Sequence, residues 1–114
     1  LIEDAKNTVL AMNTEGYTPP KPLDEIRVPG ENTLAMIKLA IWTLHEQGYA
    51  TDHDVTVSTK VAHVLCGGNV LADTKVSEQY LLDLEREAFL SLCGDPNTHA
   101  RIQHMLNTGK PLRN

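Results

Sequence analysis

Glycine ends every segment of this chain in which apolar residues recur at helical spacing. The glycines are Gly16, Gly48, the Gly67-Gly68 pair, Gly94 and Gly109. Glycine is common just beyond a helix because it adopts the left-handed backbone conformation without steric cost. Five such segments in 114 residues leave little chain for a sheet. The sequence therefore predicts an all-α fold, with about five helices in a single small domain, residues 1–114.

The apolar stripes and capping residues place the helices. The expected helices are residues 1–15, 33–47, 52–66, 78–93 and 96–108. The clearest stripe consists of Leu34, Ile37, Ile41 and Leu44. Helix-capping side chains precede four of the five, namely Asn32 or Thr33, Thr51, Ser77 and Asp95. In 52–66 the valines and threonines favour a strand by propensity, but the helical spacing and the acidic, capped start favour a helix.

The segment "YTPPKPL" interrupts this helical pattern. It has three prolines within four residues, which excludes a helix. We therefore expect residues 17–32 to form an extended linker, a proline-rich connection that crosses between elements.

The charge distribution narrows the class of partner. The net charge is −5, which argues against nucleic acid or an anionic membrane as the main partner. Residues 96–114 nevertheless hold three basic side chains and no acid. Such a basic tail could meet an anionic small molecule or a neighbouring subunit, or it could simply be solvated.

Cysteine content and hydropathy indicate the compartment. Two cysteines without a signal peptide do not form a disulfide framework, so we expect a reduced, cytoplasmic protein. No apolar run approaches the roughly 20 residues of a membrane span. The chain begins at Leu1 with residues that already read as a helix, so we expect a fragment of a longer chain.

The run "HVLCGGN", residues 63–69, is the stretch that most resembles a metal-binding, redox or phosphate-binding motif. His63 and Cys66 could share a metal, but structural zinc needs four ligands and no second close pair stands out. Cys66 lies at the end of a helix, where the dipole disfavours a thiolate. Phosphate loops place their glycines before a helix, whereas Gly67 and Gly68 follow one. We expect Cys66 to be a small buried residue and the glycines to end the helix.

Other polar clusters do not form a complete site. "TDHDV", residues 51–55, could be an acid-base cluster around His53, but we expect an exposed helix start with favourable acids. Glu85 and Glu87 are two residues apart and point in different directions on a helix. The sequence shows no nucleophile with a base, no metal set and no cofactor fingerprint. We therefore predict no catalytic residue and no metal ligand in this chain.

The C-terminal third carries a family resemblance. The runs are "EQYLLDLEREAFLSLCG" and "RIQHMLNTGKPLRN", and the likeness continues through "GYATDHDVTVSTKVAHVLCGG". Here the chain resembles the C-terminal region of bacterial multifunctional fatty acid β-oxidation proteins, which join a 3-hydroxyacyl-CoA dehydrogenase to a crotonase-type enoyl-CoA hydratase. The resemblance implies that residues 77–114 are crotonase-like C-terminal helices.

The resemblance to crotonases implies a role for the tail. In that family the C-terminal helices cover an acyl-CoA site and help to build the oligomer. "HMLNTGKP" stands where "AFxxKRKP" is usual, with Met105 in place of the Phe and Thr108 in place of the first Lys. Lys110 matches the family pattern, and the resemblance implies that it contacts CoA.

The family's oxyanion-hole amides, hydratase glutamates and Rossmann glycines have no counterpart here. The resemblance therefore implies no cofactor in this segment and NAD in the parent protein. The expected function is closure of the acyl-CoA site and assembly, with the rest of the parent enzyme, acyl-CoA and a homo-oligomer as partners. The alternative is a free-standing helical protein-interaction module without enzymatic activity.

Overall fold

Five helices and one short two-stranded ribbon form the computed structural model, which describes residues 1–114. In chain order the elements are α1 Ile2–Thr14, β1 Ile26–Arg27, α2 Gly30–Glu46, α3 Asp52–Leu65, β2 Lys75–Val76, α4 Glu78–Cys93 and α5 Pro96–Thr108. The strands are antiparallel, with Ile26 opposite Val76. The predicted all-α class with about five helices is confirmed, and the ribbon is a minor addition.

The core lies where α2 crosses α3. Leu34 of α2 packs against Ala62 and Cys66 at the end of α3, and Ile37 and Ile41 extend the contact along α2. The small Ala62 and Cys66 side chains let the two helices approach closely. From there α3 packs on α4 and α4 on α5, so the helices follow one another in chain order. Three of the four residues in the predicted α2 stripe therefore face the core.

The start of α2 differs from the expectation. The helix begins at Gly30, and neither Asn32 nor Thr33 caps it. Its first two amides donate instead to the backbone carbonyls of Cys66 and Val70, at 3.0 and 2.7 Å. The predicted side-chain cap is wrong because a neighbouring segment, distant in sequence, satisfies these N–H groups.

The proline-rich connection is shorter than the expected linker of residues 17–32. Residues 26–32 instead form β1, its exit and the first turn of α2. Residues 17–25 are exposed and lie outside any helix or strand. The Leu23 amide donates to the Glu78 carboxylate at 3.1 Å, and the Glu78 amide donates to the Leu23 carbonyl at 2.7 Å. Glu25 also pairs with Lys75 at 3.2 Å.

The chain is open for its size. Its radius of gyration is 19.3 Å, where a compact domain of this length has about 13 Å. Its accessible surface is 8680 Å², against about 6,200 Å² for a monomer of this mass. All of residues 1–25, including α1, are exposed. The fold therefore leaves roughly 2,500 Å² more surface uncovered than a self-contained domain would.

Candidate functional site

The turn after α3 is held by hydrogen bonds between backbone groups of the turn and the last residues of α3. Cys66 is buried, and Gly67 and Gly68 both adopt a φ of +80°. The Gly67 amide donates to the Val64 carbonyl at 3.0 Å, and the Gly68 amide donates to the His63 carbonyl at 2.8 Å. Because both N–H groups are used inside the turn, they are not directed at an anion. The predictions that Cys66 is buried and that the glycines end the helix are confirmed.

The same turn joins three elements. A Cβ on Gly67 would lie 2.5 Å from Cγ2 of Val28, the buried residue that follows β1. The Tyr80 hydroxyl of α4 donates to the Gly67 carbonyl at 3.0 Å. Gly30, at the start of α2, donates to the carbonyl of Cys66. The glycine at position 67 is thus required by close packing as well as by backbone conformation.

A polar cluster forms where α5 meets the start of α3. Thr51 caps α3, and its hydroxyl accepts from the Asp54 amide at 3.1 Å, while the Asp54 carboxylate accepts from the Thr51 amide at 3.0 Å. Arg101 of α5 donates to the same carboxylate at 2.7 Å. The Thr51 amide, and next the Arg101 guanidinium, lower the pKa of Asp54 to about 2. The predicted acidic, capped helix start is confirmed.

The basic C-terminal stretch, residues 96–114, forms hydrogen bonds within itself and to the rest of the chain. Arg101 donates through Nε to the Asn114 side-chain oxygen at 2.7 Å, and Asn114 donates to the Asn97 carbonyl at 3.1 Å. Arg113 donates to the Tyr49 carbonyl at 2.9 Å. The solvated-tail interpretation is therefore wrong for the partly buried Arg101, whereas Arg113 is exposed to solvent apart from this contact. No sequence spacing links Arg101 to Asp54. The one feature of the sequence that pointed to such a contact was a basic C-terminal stretch on an otherwise acidic chain.

His53 is not exposed, contrary to the expectation for "TDHDV". Its side chain is 2% exposed, and its Nε2 lies 3.0 Å from the hydroxyl of Thr98 in the first turn of α5. The start of α5 covers this histidine, which helical periodicity within α3 could not reveal. Asp52 faces elsewhere and lies 2.6 Å from Nε2 of His45. This hydrogen bond raises the pKa of His45. The two acids flanking His53 thus have different partners, so they do not assemble an acid-base site.

An apolar groove of about 730 Å³ runs between α3 and α4. Its floor is formed by Val61, Val64, Leu65, Leu82, Phe89 and Leu92. Charged side chains of both signs line it as well, namely Lys60, Glu78, Glu85 and Arg86. Glu87 lines a smaller depression on another side of α4. The prediction that Glu85 and Glu87 point in different directions is confirmed.

The outer face of α2 is also apolar. Met36, Leu39 and Trp42 are 72%, 64% and 57% exposed, on the side of the helix opposite the core. Between residues 33 and 44 the only charged side chain is Lys38. A helix that is apolar on all sides is typical of a protein interior. None of the five helices has both the length and the apolarity needed to cross a bilayer. The α2 outer face is thus the part of this fold that most resembles an uncovered core.

Lys110, the residue assigned to CoA contact by resemblance, follows the left-handed Gly109 at the end of α5. Its backbone amide donates to the Thr108 hydroxyl at 3.2 Å, and its side chain is exposed and forms no ion pair. The role of Lys110 stays a prediction.

The fold is thus a set of five helices with two uncovered apolar surfaces, the outer face of α2 and the groove between α3 and α4. All 114 residues align at 44% identity with a probable 3-hydroxyacyl-CoA dehydrogenase from Bacillus subtilis (strain 168). The chain spans 14% of the length of that relative. No family model matches the chain, and no solved structure matches it. The comparison thus confirms the resemblance of this chain to part of a 3-hydroxyacyl-CoA dehydrogenase. The printed name of the relative does not mention a hydratase.

Proposed function

We propose that this chain is a non-catalytic helical segment of a 3-hydroxyacyl-CoA dehydrogenase polypeptide and packs against the rest of that enzyme. The observation that carries the proposal is the outer face of α2, where Met36, Leu39 and Trp42 lie uncovered. Exposed apolar patches rimmed by polar residues mark protein contacts, and a buried Trp is a frequent anchor of them. The 44% identity over the whole chain supports the rest of such a dehydrogenase as the protein that supplies the contact.

The surface area supports the same proposal. A standard protein interface covers about 800 Å² on each partner. The chain exposes roughly 2,500 Å² beyond the surface of a compact monomer, which exceeds one such contact. α1 contributes to this excess because all its side chains are exposed, including the apolar Ile2, Val9 and Met12. We infer that α1 also finds its partner surface in the rest of the enzyme.

The dehydrogenase chemistry belongs to the parent protein. NAD is the expected hydride acceptor there, and the Gly67-Gly68 turn of this chain does not offer free amides to its phosphates, because both amides are bonded within the turn. The resemblance to crotonases extends the proposal to a parent that also carries an enoyl-CoA hydratase and acts in fatty acid β-oxidation in the cytoplasm. In that parent, residues 77–114 close the acyl-CoA site and support assembly.

Association in trans tests the main proposal. This chain and the remainder of the parent polypeptide are produced as two proteins, and their affinity is measured by calorimetry. Trp42→Asp is expected to weaken the complex roughly 30-fold or more, because it places a charge in an apolar contact. Leu71→Asp, at an exposed loop position, is the control and should change the affinity little. If the wild-type chain does not bind the remainder, the proposal fails and the free-standing interaction module is favoured.

A second experiment tests the CoA contact. In the parent enzyme, Lys110→Ala is expected to weaken the binding of a CoA ester several-fold, because a free ammonium near a phosphate is lost. Lys21→Ala, at an exposed position of the proline-rich connection, is the matched control. Unchanged CoA-ester affinity in Lys110→Ala would show that Lys110 has no such role.

A further inference from the structure

A polar depression of about 310 Å³ lies among α2, α3 and α4. Its polar lining consists of Lys38 from α2, Thr59, Lys60 and His63 from α3, and Glu87 and Ser91 from α4. We propose that this depression binds a small zwitterionic molecule, with its carboxylate between Lys38 and Lys60 and its ammonium beside Glu87. Binding there does not depend on the packing proposed for the outer face of α2.

The packing of three helices builds this polar depression. Lys38 lies one turn after the buried Leu34, beside the contact between α2 and α3. On α4, Glu87 and Ser91 are also one turn apart and face the same space. Polar side chains that are distant in sequence therefore meet in one place because of the way these helices pack.

The six polar side chains of the depression form no hydrogen bond and no ion pair within the chain. Other charged side chains of α3, α4 and α5 are paired, Arg86 with Asp83 at 3.2 Å and Arg101 with Asp54 at 2.7 Å. A small number of polar groups that converge on one pocket is typical of a ligand site, where they fix the orientation of the ligand. The free hydrogen-bonding groups of the depression therefore favour a polar ligand.

The imidazole of His63 lies at the inner end of the depression. Its Nε2 atom and the Cδ1 atom of Leu84 each lie 3.6 Å from the position that a Cβ on the buried Gly68 would occupy. A neutral imidazole has one N–H group that donates a hydrogen bond. The methylene groups of the ligand therefore contact Leu84, and its carboxylate accepts from His63 as well as from the two lysines.

Charges of opposite sign lie on different walls of the depression. Lys38 and Lys60 are on α2 and α3, and Glu87 is on α4 and pairs with neither. An occupant of a single charge would be repelled by one wall, whereas a zwitterion complements both. Ligand pockets have volumes of roughly 300–1,000 Å³. A depression of about 310 Å³ thus suits a small molecule, and γ-aminobutyrate is a suitable probe.

Calorimetry on the full-length polypeptide that contains this chain tests the inference. We expect γ-aminobutyrate to bind roughly 10-fold more tightly than butyrate or butylamine, because each of these lacks one of the two charges. Glu87→Gln should remove the advantage over butyrate. Glu85→Gln is the matched control, since Glu85 is exposed on the same helix and lies outside the depression. Absence of γ-aminobutyrate binding, equal affinity for the three probes, or the same effect of both variants would overturn the inference.

A lysine variant tests the opposite wall. Lys38→Gln should weaken the binding of γ-aminobutyrate and butyrate several-fold without weakening that of butylamine, because only a carboxylate uses the Lys38 ammonium. Lys6→Gln removes the same charge from an exposed position of α1 and is the control. Unchanged affinity for γ-aminobutyrate in Lys38→Gln would contradict the assignment of the carboxylate to this wall.

Charge reversal at Glu87 should change the preferred ligand. Glu87→Lys is expected to bind glutarate, which has a carboxylate at each end, more tightly than γ-aminobutyrate, whereas the wild type shows the opposite order. Glu87 is exposed and forms no ion pair, so the variant should keep the wild-type fold, which circular dichroism checks. If Glu87→Lys keeps the preference for γ-aminobutyrate, Glu87 does not face the ammonium of the ligand and the inference is wrong.

Discussion

Arg101 in α5 donates a 2.7 Å hydrogen bond to Asp54 in the first turn of α3, although 47 residues separate them. The same Asp54 carboxylate closes the capping box with Thr51. The docking of the last helix and the capping of the third therefore share one side chain. Arg101 also contacts Asn114, which extends this link to the tail.

Arg101→Ala is expected to destabilise the fold by about 1–2 kcal/mol, because it removes charge-assisted hydrogen bonds to the partly buried Asp54. Arg86→Ala is the control. Arg86 pairs with Asp83 at 3.2 Å, but both side chains are mostly exposed, so the expected loss is about 0–0.5 kcal/mol. Urea unfolding of both variants measures the difference. Equal losses would mean that the α3–α5 ion pair contributes no more than a surface pair.

Acid should weaken the fold through Asp54. Its pKa is about 2 in the folded chain, below its ordinary value of 3.8. The ionised form therefore stabilises the fold above pH 3.8, and this contribution is lost as the pH falls through about 2. Asp54→Asn lacks the titration, so its stability difference from the wild type should shrink as the pH is lowered across this window. Urea unfolding at several pH values measures it, and a constant difference would contradict the assignment.

His45 should respond in the opposite sense. Its hydrogen bond to Asp52 raises its pKa above 6.5, so the protonated form is favoured in the folded chain. The stabilisation is present below pH 6.5 and lost as the pH rises through the folded pKa. An NMR titration of the imidazole should have its midpoint above 6.5 in the wild type and closer to 6.5 in Asp52→Asn. An unchanged midpoint in the variant would rule out Asp52 as the cause.

Gly67→Ala should be among the more damaging single changes in the chain. The new Cβ would lie 2.5 Å from Val28 and would occupy a left-handed backbone position. Strain and the close contact together are expected to cost about 3 kcal/mol. Gly48→Ala is the matched control, because Gly48 has a φ of +76° and a Cβ added there would meet nothing within 4 Å, so only about 1 kcal/mol of backbone strain is expected. Similar losses of unfolding free energy in the two variants would show that close packing against Val28 adds no cost at position 67.

Local signals predicted the helices well. Thr51, Ser77 and Asp95 cap α3, α4 and α5 as expected, each through its own side chain. Such caps depend on contacts within three residues, which a sequence displays directly. The start of α2 was mispredicted because its amides bond to the carbonyls of Cys66 and Val70, and no local pattern records that contact.

The candidate site was less predictable than the helices. Cys66 was correctly expected to be buried, because a free cysteine on the apolar side of a helix packs as a small apolar residue. His53 was expected to be exposed and is buried, because its cover comes from Thr98 and its neighbours at the start of α5. A single sequence does not reveal which distant helix covers a given face.

The sequence by itself determined five helices, the glycines at which they stop and a buried Cys66, because helical periodicity and glycine stops act over a few residues. Only the tertiary structure decided that Arg101 reaches Asp54, that Val28 fills the space beside Gly67, and that the outer face of α2 has no cover. These features depend on which helices meet, and that is set by burial summed over the whole chain rather than by any short segment.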